Sequence, residues 1–179
     1  VAGYPLLLHP RGPRGLDVAV VGFGSGVTIG TALQFPIARI DVVELERWIP
    51  DASRFFADVN HLTYTPQREF PYVSMPRLHI LNNDGRNYLA ATDRRYDVVI
   101  SEPSNPWITG VSDLFTADHF RITKRRLRPG GIYCQWVQLY ELSPENIKSI
   151  YRTFASQFRH VLVFAADDLS SDTILLGSD

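Results

Sequence analysis

Four short runs in this chain carry residue types whose spacing suits small-molecule binding and group transfer. The first is Gly22-Phe23-Gly24-Ser25-Gly26. Glycines there let the backbone approach a ligand, and a helix starting next would present free N–H groups to it. The plainer alternative is a turn that packs helix against strand. A dinucleotide fingerprint would place glycine where Val27 stands, which argues against a nicotinamide cofactor. The second is Glu44, 22 residues after Gly22. An acidic residue at a strand end and at that distance can accept from both ribose hydroxyls. Capping the following helix is its other use, and Glu46 competes for either role. In the third, Asn83-Asp84-Gly85-Arg86, Asp84 can accept from an exocyclic amine such as adenine N6 or cap a short helix, while Gly85 permits the turn. The fourth is Ser101-Glu102-Pro103-Ser104-Asn105-Pro106-Trp107. Its two prolines stiffen the loop, so Glu102 is held well enough to activate or orient an attacking group, or else is an exposed loop carboxylate. Asn105 and Trp107 are candidates for the acceptor side, with packing as the alternative for Trp107. Gln135 and Gln138, near the end of a later strand, are further candidates to reach the same pocket.

These residues need elements to hold them. Apolar runs predict strands over 17–22, 39–44, 77–81, 96–101 and 132–137, and helical spacing falls over 26–35, 47–59, 85–91 and 116–127. The LRPGG run reads as a turn. Ser143 followed by Pro144 reads as an N-cap with proline at the first helical position, opening a helix to about residue 158. Closing strands are expected over 161–164 and 173–176. The stretch 60–76 holds three prolines and is long enough to be a functional flap. Alternating strands and helices predict a parallel sheet wrapped on both faces, with ligands at the carboxyl ends of the strands. Three such ends, bearing the glycines, Glu44 and Asp84, would form a nucleoside cradle.

Bulk properties exclude several classes. The 179 residues suffice for one domain, and 45% hydrophobic with 21% charged residues is ordinary globular composition. A formal net charge of −1 gives no electrostatic reason to bind nucleic acid. One cysteine excludes an internal disulfide framework and fits a reducing, cytoplasmic location; Cys134 sits in an apolar strand and reads as core. Five scattered histidines show no metal-ligand spacing, so no metal is expected. No apolar run approaches the roughly 20 residues of a spanning helix. The run Lys124-Arg125-Arg126 reads as a solvated helix end. The stretch 1–13 reads as connecting chain, which suggests a piece of a longer protein: a connecting segment over 1–16 and a catalytic nucleoside-binding domain over 17–179.

Taken in order, VVGFGSG, VVELE, NDGRNYL, YDVVISEPSNP, LFTADHF, LRPGG and TILLGS resemble the spermidine and spermine synthase family of polyamine aminopropyltransferases. The similarity is strongest to the bacterial branch in which this domain is fused to membrane segments, so the parent protein is expected to be membrane-anchored. The resemblance implies a Rossmann-like fold of the S-adenosylmethionine-dependent methyltransferase type, with a mostly parallel seven-stranded sheet and helices on both faces. In the family, decarboxylated S-adenosylmethionine gives an aminopropyl group to a diamine and methylthioadenosine leaves. It implies that Glu44 holds the ribose, that Asp84 holds the adenine amine and that Glu102 stands at the position of the catalytic acid. Gly22, Gly24, Ser25, Gly26 and Gly85 would line the donor. The expected partner is a small amine, and a homodimer is left open.

Three departures from the family pattern bear on specificity. Its glycine loop has aspartate where Ser25 stands, its catalytic aspartate is Glu102 here, and a second aspartate that grips the acceptor is Asn105. A charged hydrogen bond is worth about 1.5–3 kcal/mol. An aspartate would pair with the ammonium of the decarboxylated donor and repel the carboxylate of intact S-adenosylmethionine, which Ser25 tolerates. Methyl transfer from the intact donor is therefore the first alternative, and a non-catalytic nucleoside-binding module the second.

Overall fold

The alternation of apolar residues in the first strand decides how the molecule is layered. In the computed structural model, which describes residues 1–65, 73–103, 110–165 and 172–179, β1 (Asp17–Val21) sends Val18 and Val20 to one face and Ala19 and Val21 to the other. β2 (Arg39–Glu44) and β4 (Tyr96–Ser101) are equally apolar, as strands covered on both sides must be. With β3 (Leu78–Asn82), β5 (Leu127–Gln138), β6 (His160–Ala165) and β7 (Asp172–Ser178) they form one sheet in the order β3-β2-β1-β4-β5-β7-β6. The first five are parallel; β7 runs antiparallel to both neighbours. This is the expected methyltransferase-type sheet.

Helices cover the two faces. Ala2 and Leu6, at α1 (Gly3–Leu8), and Ile29, Ala32 and Leu33 of α2 (Val27–Leu33) pack on Val18, Val20, Ile40 and Ile100. On the other face, Leu89 of α5 (Gly85–Ala91), Phe120 of α6 (Ala117–Arg126) and Phe154 of α7 (Pro144–Ala155) pack on Ala19, Val99 and Tyr133. Each fully buried aliphatic side chain contributes about 1.5–3 kcal/mol. Ser143 caps α7 as its sequence predicts, its hydroxyl accepting from the Asn146 N–H at 3.2 Å.

Several expectations need correction. The stretch 1–13 carries α1, anchored because Leu6 is fully buried and Arg11 pairs with the buried Asp97, so it is part of the packed domain. The single helix expected over 47–59 is broken into α3 (Ile49–Ala52), a 3₁₀ turn (Ser53–Phe56) and α4 (Ala57–Asn60). The Ser53 hydroxyl bonds back to the Pro50 carbonyl at 2.7 Å, a local competitor of helix geometry. β5 starts at Leu127 rather than 132: Leu127 pairs with Tyr96 and Ile132 with Val98, so 128–131 bulge out as the expected LRPGG turn within one strand. Lys124 and Arg126 are cross-links rather than a solvated end, Lys124 donating to the Gln157 carbonyl and Arg126 to those of Leu89 and Ala90. Of the expected flap, the described ends pair Tyr64 with Val73, and Leu62 and Val73 sit in the core. Among the described residues no helix is long and apolar enough to cross a membrane.

Candidate active site

Register brings the expected residues to one edge. Val21 pairs with both Val43 and Ser101, and Glu44 with Asn82, so β1 to β4 end level. The next residues continue the ladder: Gly22 N donates to Val43 O at 2.9 Å, Asn83 N to Glu44 O at 3.0 Å and Glu102 N to Val21 O at 3.1 Å. β1 is followed in space by β2 on one side and β4 on the other, which makes this the switch point of the sheet. A cavity of about 540 Å³ opens there, lined by Gly22, Gly24, Glu44, Asp84, Gly85 and Glu102. Leu45, Ile49, Val111 and Leu114 add apolar wall suited to an aromatic base.

Two glycines make the cavity possible. Gly22 has φ +94, and a Cβ there would stand 2.8 Å from the Glu102 carbonyl oxygen. A Cβ on Gly85 would stand 2.4 Å from Val21 Cγ1, so only glycine lets α5 close on the tip of β1. Ser25 and Gly26 are not among the lining residues: the chain turns there into α2, and the Ser25 carbonyl accepts from Asn60 Nδ2 at 2.8 Å. Gln138 lies at the end of β5, buried, outside the cavity wall. Asn105 and Trp107 lie outside the described residues; Pro103 and Gly110, on either side of that stretch, line the cavity.

The carboxylates are positioned differently. Glu44 accepts from Phe23 N through Oε2 and from Glu46 N through Oε1, both at 2.8 Å. Glu46 therefore supplies a donor to Glu44, though it also borders the cavity. Asp84 caps α5, accepting from Asn87 N at 2.7 Å, and lines the cavity as well, so its two suggested uses coexist. Glu102 receives the Thr28 hydroxyl on Oε2. Burial pushes its carboxyl above the ordinary glutamate range, against the Thr28 bond and the more distant amino charge of Val1. That places it as a group able to take up a proton near the cavity.

Two further buried titratable groups, Cys134 and His119, are held neutral. Cys134 is fully buried and burial pushes its thiol up to about 12, so it stays protonated in the core. His119, on α6 behind the cavity, is fully buried; burial and the Arg86 charge lower it to about 4 despite Asp84, and it is neutral at physiological pH. Among the described residues no three His, Cys, Asp or Glu side chains come together as a metal site.

Sequence reasoning missed three supporting residues. Asn82 Nδ2 donates to the Glu44 and Leu45 carbonyls at 3.0 and 2.8 Å and holds the turn after β2. Asn60, fully buried, ties the Ser25 and Ser53 carbonyls and the Tyr64 hydroxyl together while accepting from Leu62 N. Thr28 reaches Glu102 across 74 residues. None carries a local signal: an asparagine at a strand end or at the start of an irregular stretch and a threonine in the first turn of a helix are ordinary, and their importance comes from long-range contact.

Comparison with known proteins agrees with this fold. The domain family described as spermine/spermidine synthase domain matches residues 1–167. Polyamine aminopropyltransferase 2 of Pseudomonas aeruginosa is 33% identical over 183 residues, covering 98% of this chain and 49% of the relative. Putrescine N-methyltransferase 2 of Nicotiana tabacum is 30% identical over 175 residues, covering 91% and 46%. The chain thus spans about half the length of these relatives. A spermidine synthase solved in complex with the transition state analogue AdoDATO superposes with a TM-score of 0.75 at 20% identity, covering 99% of this chain and 56% of that one.

Proposed function

Starting from a chain that belongs to the spermine/spermidine synthase domain family, we propose that it transfers an aminopropyl group from decarboxylated S-adenosylmethionine to a polyamine-type amine. The observation that carries this is the convergence of Gly22, Glu44, Asp84 and Glu102 on one cavity at the switch point of the sheet. Glu44 takes the ribose hydroxyls, Asp84 the adenine amine, and the backbone at Gly22 and Gly24 the donor's tail. Ser25, Gly26 and Gly85 shape that loop and floor. Asn105 and Trp107 are assigned to the acceptor side, and so is Gln138, from the buried end of β5 rather than from the cavity wall.

In the step itself the amine nitrogen attacks the carbon next to the sulfonium sulfur. The N–C bond forms as the C–S bond breaks, its electron pair passes to sulfur, and methylthioadenosine leaves as a neutral thioether. The amine proton goes to the Glu102 carboxylate and then to solvent. Holding amine, carbon and sulfur in line supplies most of the acceleration, and no metal is needed in this reading. A cytoplasmic location rests on the single cysteine, and a homodimer and membrane segments elsewhere in the protein rest on the family resemblance; all are part of the same proposal.

Methyl transfer from intact S-adenosylmethionine is the second reading, favoured by Ser25 and by the likeness to a putrescine N-methyltransferase. Calorimetric titration of the full-length protein with each donor separates them. Tighter binding of the decarboxylated form supports aminopropyl transfer; tighter binding of the intact form supports methyl transfer. A product that disappears in Glu102→Gln excludes a non-catalytic module.

A further inference from the structure

We propose that Thr28 is a positioning residue for Glu102: its hydroxyl holds one carboxylate oxygen so that the other is presented to the acceptor amine. This rests on the transfer reading above. Thr28 lies in the first turn of α2 and is buried, and its hydroxyl donates to Glu102 Oε2. Among the described residues no donor reaches Oε1, while Glu102 lines the cavity and Thr28 does not.

The backbone of Glu102 is already fixed. Its N–H is bonded to the Val21 carbonyl at 3.1 Å, and its own carbonyl is packed where a Cβ on Gly22 would come within 2.8 Å. The remaining freedom is in the side chain, which is one methylene longer than the aspartate the resemblance leads one to expect. A longer carboxylate needs a second anchor to hold one geometry, and Thr28 is that anchor. A helical threonine commonly points to solvent or bonds back to a carbonyl of its own helix; here the hydroxyl is committed to Glu102. The other groups that act on Glu102 are the Val1 amino group and the Cys134 thiol, the latter held neutral by burial. Neither offers the same directional contact. Burial favours the protonated carboxyl and the Thr28 bond favours the carboxylate, so losing the bond raises the carboxyl further.

The test uses Thr28→Val, which removes the hydroxyl at nearly constant volume, and Thr28→Ser, which restores it, both in the full-length protein. Three quantities are measured: kcat and KM for transfer to putrescine, methylthioadenosine affinity by calorimetry, and titration of the Glu102 carboxyl by ¹³C NMR. Expected for Thr28→Val are a fall in kcat of about tenfold or more, nucleoside affinity within about twofold of the parent, and a carboxyl titration moved to higher pH. Thr28→Ser recovers most of the rate and the parental titration. Unchanged kcat and titration in Thr28→Val would overturn the proposal, and so would equal losses of rate and nucleoside affinity, which mark a merely structural role. If the parent protein transfers nothing, the transfer reading fails by itself, and an unmoved carboxyl titration then refutes the Thr28 contact independently.

Discussion

The backbone N–H of Phe23 lies 2.8 Å from Glu44 Oε2, so the glycine loop after β1 is stitched to the end of β2 by the carboxylate assigned to the ribose. The other oxygen of Glu44 is held by Glu46 N. Loop and carboxylate are one unit, and a ligand entering the cavity meets both in fixed relation. Glu44→Gln should therefore weaken methylthioadenosine binding by about tenfold to hundredfold, the equivalent of one lost charged hydrogen bond. Calorimetry reads this directly; binding within twofold of the parent would remove Glu44 from the ribose role.

Gly22→Ala should destabilise the fold by about 1–3 kcal/mol, because φ +94 is strained for alanine and the new Cβ meets the Glu102 carbonyl. The denaturant midpoint is the measurement. Turnover should fall further than stability explains, since the displaced carbonyl belongs to Glu102, the proposed proton acceptor.

Activity should show an acidic limb set by Glu102. Burial raises its carboxyl above the ordinary glutamate range, and only the carboxylate can accept the amine proton, so rate is lost as pH falls through the raised value. Glu102→Gln should lower kcat by about a hundredfold or more and erase that limb. The sign for stability is opposite. A carboxyl raised in the folded state contributes stability below its unfolded value and loses it as pH rises through the folded one. Glu102→Gln should thus melt higher than the parent at alkaline pH, as thermal scans across pH will show.

Asn60→Ala should cost about 1–3 kcal/mol, because it leaves the buried Ser53 carbonyl and Leu62 N–H without their partners. It also frees the Ser25 carbonyl, so donor KM should rise along with the loss of melting temperature. A variant that melts lower with unchanged donor KM would confine Asn60 to stability.

Ser25 stands in the glycine loop just outside the cavity wall, so only a longer side chain there would reach the donor: Ser25→Asp should turn donor preference toward decarboxylated S-adenosylmethionine, its carboxylate attracting the ammonium and repelling the carboxylate of the intact donor. The ratio of the two dissociation constants should move by about tenfold or more. Competitive calorimetry with both donors would show it, and an unchanged ratio would mean that this loop does not set donor identity.

Much of the architecture was legible before any coordinates. Continuous apolar strands, glycine turns and the Ser143-Pro144 cap act over a few residues, and they placed β1, β2, β4, α5 and the start of α7 correctly because local geometry is all they require. The short helix α1 escaped notice because its stability comes from burying Leu6 against the sheet, not from its own pattern. The run α3–α4 is interrupted where the Ser53 hydroxyl bonds back to the Pro50 carbonyl, and its end is held by the long-range bond from Asn60 to the Ser25 carbonyl, neither of which periodicity shows.

The chemistry divides along the same line. Residue type and spacing alone selected Gly22, Glu44, Asp84 and Glu102, since strand ends in a parallel sheet can be counted along the chain. Only the tertiary structure decided that Glu44 bridges Phe23 and Glu46, that Ser25 and Gly26 turn away into α2, and that Thr28 holds Glu102. Those facts depend on which hydrogen-bond donors arrive from distant segments, and distance along the sequence carries no information about approach in space.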